Sequence, residues 1–174
     1  MAKKLVIIFS AIVLLNLIVC AFLPNTFSFQ RSIEIKANKE TVFGQVASFR
    51  NWRNWSPWSD STLQITFAGP ETHVGAEMLW SNDGKENDGS NKIVEFKPYN
   101  YLKIETQISK NTQALFMEFY FEEMPANTCK VVWKQSGNLT FFERPFGLFM
   151  EKIMGSDLEL GLQKLKINSE ALVK

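Results

Sequence analysis

Residues 101–123 read YLKIETQISKNTQALFMEFYFEE, and the alternation inside this stretch decides the fold. Leu102, Ile104, Thr106 and Ile108 alternate with Lys103, Glu105 and Gln107. After Lys110-Asn111 the pattern resumes, with Leu115, Met117, Phe119 and Phe121 set against Glu118, Tyr120 and Glu122. Side chains two apart share one face of a strand, so the stretch predicts two antiparallel strands, each with a dry and a wet face.

Working outward, the same period places further strands at 63–68, 76–82, 90–97 and 129–136 around those at 101–109 and 113–123. Turn chemistry separates them: Gly69-Pro70, Asn82-Asp83-Gly84, Pro98-Tyr99-Asn100, Lys110-Asn111, Ala126-Asn127 and Gly137-Asn138. Connections this short imply an antiparallel meander. Upstream, residues 28–36 alternate as a first strand, with Phe29, Ile33 and Ile35 on one side. Asn38 can cap a short helix in which Val42, Val46 and Phe49 recur at helical spacing. A tryptophan-rich stretch, Trp52 to Trp58, follows.

The dry face needs a cover. Residues 146–172 supply one, beginning beside Pro145 and running about 40 Å if helical. Met150, Met154, Leu158, Gly161, Leu165 and Leu172 fall on one arc, which Phe146, Phe149, Ile153 and Leu160 extend. One strand, two short helices, six strands and a long helix make an α+β grip: a seven-stranded antiparallel curved sheet wrapped around a C-terminal helix.

The chain of 174 residues has room for one domain. Of its 19 basic residues, Lys3 and Lys4 precede the first apolar run, leaving 17 against 18 acidic ones. A near-neutral body without a basic cluster lacks the footprint of a nucleic-acid binder. Leu5 to Leu23 contain only Ser10 and Asn16 as polar residues and would cover about 28 Å as a helix, near the hydrocarbon thickness of a bilayer. This predicts one N-terminal transmembrane helix. Residues 1–27 then form an anchor and linker, and residues 28–174 a domain. Lys3 and Lys4 place that domain outside the cytoplasm, although Arg31, Lys36 and Lys39 weaken the asymmetry. The alternative is a signal peptide cleaved after Ala21, which would leave a secreted protein. Val19 is a poor residue to precede a lipidated Cys20. With Cys20 in the apolar run and Cys129 in the domain, no useful internal bridge is expected.

Several short motifs carry a resemblance to a known family. They are Arg31-Ser32-Ile33, Glu40-Thr41-Val42-Phe43, the run 49–58 (FRNWRNWSPW), Gly69-Pro70-Glu71, Val74-Gly75-Ala76 with Trp80, Gly89-Ser90, and the helical run 157–166 (DLELGLQKLK). On these, about residues 28–172 resemble the polyketide cyclase/dehydrase and lipid-transport family of the START/Bet v 1-like (SRPBCC) superfamily. The resemblance implies the helix-grip fold with a deep apolar cavity between sheet and long helix. It also implies a lipid, sterol, polyketide or other hydrophobic molecule as partner.

Within that frame the candidate ligand-binding residues come from three places. The tryptophan run offers Trp55 and Trp58, as packing at one end of the sheet or as a cavity wall. The dry face offers Trp80, Leu102, Ile104, Met117, Phe119, Phe121 and Trp133, which would be core in any sheet protein. The long helix offers Met154, Asp157, Leu158 and Gly161. Asp157 is the odd one, since a carboxylate inside an apolar arc needs a partner to offset lost hydration. It reads as a structural pair, or as a polar handle or general acid/base in a cavity. His73 is the only histidine and reads as incidental. No metal-ligand set, nucleophile elbow or cofactor motif accompanies it.

The sequence therefore reads first as a membrane-anchored binding or carrier domain for a hydrophobic small molecule. Two alternatives stay open: an enzyme acting on an apolar substrate in the same cavity, and a protein-interaction module whose cavity is filled by its own side chains. Protein partners are not indicated.

Overall fold

The alternation of residues 101–123 becomes two neighbouring strands in a computed structural model that describes residues 2–59, 62–81, 89–109 and 113–173. The strands are β1 (Thr26–Ile35), β2 (Gln64–Ala68), β3 (Glu77–Ser81), β4 (Gly89–Lys97), β5 (Tyr101–Gln107), β6 (Leu115–Met124) and β7 (Thr128–Asn138). They form one antiparallel sheet in the order β1-β7-β6-β5-β4-β3-β2. The expected turns at Asn82-Asp83-Gly84 and Lys110-Asn111 lie outside the described residues. The β6–β7 reversal passes through Ala126 and Asn127 at φ of 59° and 53°, the left-handed region that tight hairpins use.

Gly137-Asn138, expected as a turn, instead pairs within β7: Gly137 lies opposite Phe27 on one side and Leu115 on the other. A Cβ at Gly137 would stand 2.8 Å from atoms of both side chains. The glycine marks a close approach in the sheet, and the chain does not reverse there.

The other elements are α1 (Ala2–Phe22), α2 (Lys39–Ala47), a 3-10 helix (Phe49–Asn54), a second 3-10 turn (Phe141–Glu143), α3 (Arg144–Gly147) and α4 (Met150–Ala171). Asn38 caps α2, its side chain accepting from the Thr41 N–H at 2.8 Å. The single long helix expected over 146–172 is broken. Gly147 ends α3 with the Leu139 side chain where a Cβ would stand, and the Phe149 N–H donates to Phe146 O in a tighter turn before α4 begins.

From there α4 lies along the dry face and buries Gly155, Leu158, Gly161, Leu162, Leu165 and Ser169. Arg31 of β1 reaches Glu159 at 2.7 Å and Glu151 at 3.0 Å. Nearer the far end, Lys166 Nζ donates to Glu34 O, and Glu170 accepts from the Lys36 N–H. Phe146, Phe149, Ile153 and Leu160 do not join the covered arc; all four are exposed. At 100° per residue Phe149, Ile153 and Leu160 point away from Leu158 and Leu165, so α4 carries apolar side chains on two opposite faces.

The α1 helix and the rest of the chain touch. The Arg144 guanidinium donates to Cys20 O at 2.9 Å and to Leu23 O at 3.5 Å, satisfying carbonyls at the negative end of the α1 dipole. Residues Lys3–Phe22 are long and apolar enough to cross a membrane. Both cysteines are free, and burial pushes the Cys129 thiol up to about 11.

Candidate functional site

The tryptophan run separates into packing and rim. Trp52 and Trp55 are buried, and their indole N–H groups donate to Val46 O and Gln45 O at 2.9 Å each. They thereby lock the 3-10 helix back onto α2. Trp55 meets Phe119 and Trp133 edge-on, with ring centroids 6.2 and 5.9 Å away. Trp58 is exposed at the end of the run. It stands edge-on to Trp133 at 5.6 Å and donates its indole N–H to Asp157 Oδ2 at 3.3 Å.

Between this run, the first turns of α4 and the sheet lies a cavity of about 270 Å³, just below the roughly 300–1,000 Å³ usual for small-molecule sites. Its depth is formed by Phe49, Trp52, Met78 and Met117, and its side walls include Ile65, Trp80, Leu115 and Met154. Arg53, Trp58, Ser59 and Ile108 form an exposed rim. Four polar residues interrupt the apolar wall: Ser56, Asn91, Thr106 and Gln135. Thr106 Oγ1 donates to Asn91 Oδ1 at 2.7 Å. Gln135 is buried, and its Oε1 has no hydrogen-bond partner among the described residues.

Of the residues expected to bind a ligand, Trp58, Trp80, Met117 and Met154 line this cavity. Trp55, Leu102, Ile104, Phe119, Phe121, Trp133 and Leu158 are fully or nearly fully buried and lie in the packed part of the core beside it. Gly161 is buried too, wedged against Trp133 and Pro57. Asp157 sits at the rim, half-buried, on the Trp58 indole. Asn91, Thr106 and Gln135 were not singled out by the sequence reading, although each occupies an inward position in an otherwise apolar row.

Among the described residues the partner of Asp157 is a neutral donor, the Trp58 indole N–H, and not a cation. An asparagine there keeps an oxygen for the Trp58 N–H. Asp157→Asn is therefore expected to change stability by no more than about 0.5 kcal/mol in a denaturant melt. A loss of several times that would show that the carboxylate balances a charge.

Acid/base groups are sparse inside. Among the described residues lining the cavity, Arg53 is the one titratable side chain. The main titratable cluster lies on the outer face of the sheet. There Glu118 accepts from Lys134 at 2.8 Å and from the Tyr101 and Tyr120 hydroxyls at 3.0 Å each. Burial pushes the Glu118 carboxyl up, but hydrogen bonds from Lys134, Tyr101 and Tyr120 outweigh it and hold it below the usual range. Burial, followed by the Glu118 contact, pushes Tyr101 well above an ordinary phenol. His73 stands on the outside, stacked on Phe96 with centroids 4.4 Å apart.

Comparison with known proteins yields one family, described as polyketide cyclase / dehydrase and lipid transport, which matches residues 26–170. No curated protein matches. Among solved structures, a protein from Thermobifida fusca superposes with a TM-score of 0.65 at 19% identity, covering 83% of this chain and 94% of that one. The Zhui aromatase/cyclase from a Streptomyces species gives 0.63 at 12% identity, covering 86% and 96%. The di-domain ARO/CYC BexL gives 0.64 at 15% identity, covering 84% of this chain and 47% of its own. At these identities the likeness is one of fold.

Proposed function

The chain belongs to the polyketide cyclase / dehydrase and lipid transport family, and from that premise we propose that it is a membrane-anchored binding or carrier domain. Its ligand is a compact hydrophobic molecule, or the end of a longer one, that also carries a hydrogen-bond donor. The observation that carries this reading is the lone Gln135 Oε1 among the apolar walls of the cavity. A buried acceptor left unpaired costs about 1–3 kcal/mol. A ligand hydroxyl or amine would relieve that cost while Trp58, Trp80, Met117 and Met154 enclose its apolar part. The α1 helix supplies the anchor, and Lys3 and Lys4 favour an N-terminus on the cytoplasmic side and a domain on the other.

The lining favours binding over turnover. Cyclisation or dehydration needs a group that takes up and returns a proton, and Arg53 offers donors with no acceptor. A cavity of this size also argues against a module filled by its own side chains.

The test is the full chain extracted in detergent, with co-purifying small molecules read by mass spectrometry. A donor-bearing apolar molecule is expected with the wild type and is expected to be lost in Gln135→Leu. That substitution removes the unpaired acceptor while keeping an apolar shape, so stability should hold or rise. If wild type and variant carry the same molecule in equal amount, Gln135 is not the handle. If neither carries one, and a panel of hydroxylated apolar compounds leaves the wild-type melting temperature unmoved, the binding reading fails.

A further inference from the structure

The register of the sheet shows which end holds the cavity. β1 begins at Thr26 opposite Asn138, and from there one row of neighbours runs across the strands: Gly137 to Leu115, Leu115 to Thr106, Thr106 to Asn91. Asn91 pairs on to Met78 of β3, and Trp80 and its partner Ile65 lie two residues further along β3 and β2 toward the same end. Leu115, Thr106, Asn91, Trp80 and Ile65 all line the cavity. The hollow end of the domain is thus the end at which the chain arrives from α1.

At that end the surface is apolar. Phe142, Phe146, Leu148, Phe149 and Ile153 are 69%, 64%, 63%, 55% and 60% exposed, five large side chains within twelve residues. Single exposed apolar residues are ordinary, but a cluster marks a contact. The cluster is fixed in height relative to α1. Arg144, inside the same segment, holds the carbonyls of Cys20 and Leu23 at the end of that helix, and its guanidinium also lies over the Phe141 ring, 5.2 Å from the centroid. Thr140 and Glu143 form a capping box that stiffens the turn before it. Charge around the cluster is mixed, with Lys152 and Arg144 against Glu143 and Glu151, so its attraction is to apolar surface and not to a field.

We propose that Phe142, Phe146, Leu148, Phe149 and Ile153 seat the cavity-bearing end of the domain in the interfacial layer of the bilayer that holds α1, with the cavity rim turned toward the lipid. The inference rests on the reading of α1 as a membrane span. Side chains tied to the last turn of a span stand at the level where hydrocarbon gives way to headgroups, and aromatic and aliphatic groups there gain by burying their faces among the acyl chains. The outer face of α4 thins with distance. Beyond Ile153 its apolar positions are Leu160 and Ile167, each about two turns further from the span. The rim residues Trp58 and Ile108 are themselves 39% and 51% exposed and border the same end. A ligand dissolved in the membrane would meet the mouth without crossing water.

The test uses the full chain with Cys20→Ser and Cys129→Ser, at one copy per phosphatidylcholine nanodisc. Single spin labels are attached through Phe149→Cys, Ile153→Cys, Ile12→Cys and Asn127→Cys, and an unchanged near-ultraviolet circular dichroism spectrum checks each fold. At positions 149, 153 and 12, collisions with oxygen should exceed those with a water-soluble nickel chelate. At 127, in the β6–β7 turn at the opposite end, the order should reverse. Aqueous readings at 149 and 153 with a lipid reading at 12 would overturn the docking while leaving the span intact. An aqueous reading at 12 would overturn the span and the docking with it. Low accessibility to both reagents at 149 and 153 would mean that protein covers the cluster, and would overturn the docking as well.

Discussion

Trp55→Ala is expected to destabilise the domain by about 3–5 kcal/mol, the range for truncating a large buried aromatic. The indole is fully buried. It packs on Trp52, Phe119 and Trp133 and donates to Gln45 O, so the substitution empties a volume that three rigid rings cannot refill. It also strands a carbonyl at the end of α2. Chemical denaturation of the detergent-solubilised protein would read the loss. A change within 1 kcal/mol, accompanied by weaker ligand binding, would instead make Trp55 part of the site.

The second large loss is expected at Gly161. A Cβ there would stand 2.7 Å from Trp133 Cζ3 and 2.9 Å from Pro57 Cδ, both in rigid rings. Gly161→Val should cost about 2–3 kcal/mol, in the upper part of the overpacking range, because it forces α4 off the sheet or the Trp133 ring out of place. Gly44, in α2, has nothing within 4 Å of its Cβ position, so Gly44→Ala is the matched control. It should gain up to about 1 kcal/mol from helix propensity. Loss at one glycine and gain at the other, in parallel melts, would show that contact with Trp133 and Pro57 sets the cost, with backbone freedom secondary.

The sheet was legible because burial of one face writes itself into the sequence as alternation, and residues 101–123 carry that signal with little noise. The family resemblance was legible for a different reason: the tryptophan run is rare by composition. The Gly137-Asn138 misreading arose because a glycine admitting two large neighbours looks, in sequence, like a glycine admitting a turn. The reading of residues 146–172 erred in extending the covered arc to Phe149, Ile153 and Leu160, which the 100° helical spacing itself sets on the side opposite Leu158 and Leu165. In the structure Leu158 and Leu165 face the sheet, while Phe149, Ile153 and Leu160 face away.

The cavity was legible only in outline. Thr106 stands among Leu102, Ile104 and Ile108, Gln135 follows Val131 and Trp133, and Asn91 precedes Ile93; each is a polar residue in a dry row. That is a usable signal for the polar end of a pocket. Alternation cannot distinguish a filled part of a core from a hollow one, since both need apolar inward residues. Hence Trp80 and Met117, which line the cavity, were grouped with Leu102, Phe119 and Trp133, which do not.

The position of β1 at the edge of the sheet, with β7 beside it, bears on how the chain is made. β1 is the first strand to leave the ribosome, and β7, its partner, is the last. Until nearly the whole domain has been synthesised, β1 presents its unpaired backbone and the Phe27 and Phe29 side chains to whatever lies nearby. β2 through β7 form a meander of local pairings and can assemble first; adding β1 is then the long-range closure that sets the pace. If α1 is already held in a bilayer by that time, the waiting strand is confined beside the membrane and kept apart from other nascent copies. A span at this end of the chain would then act as a folding aid as well as an anchor.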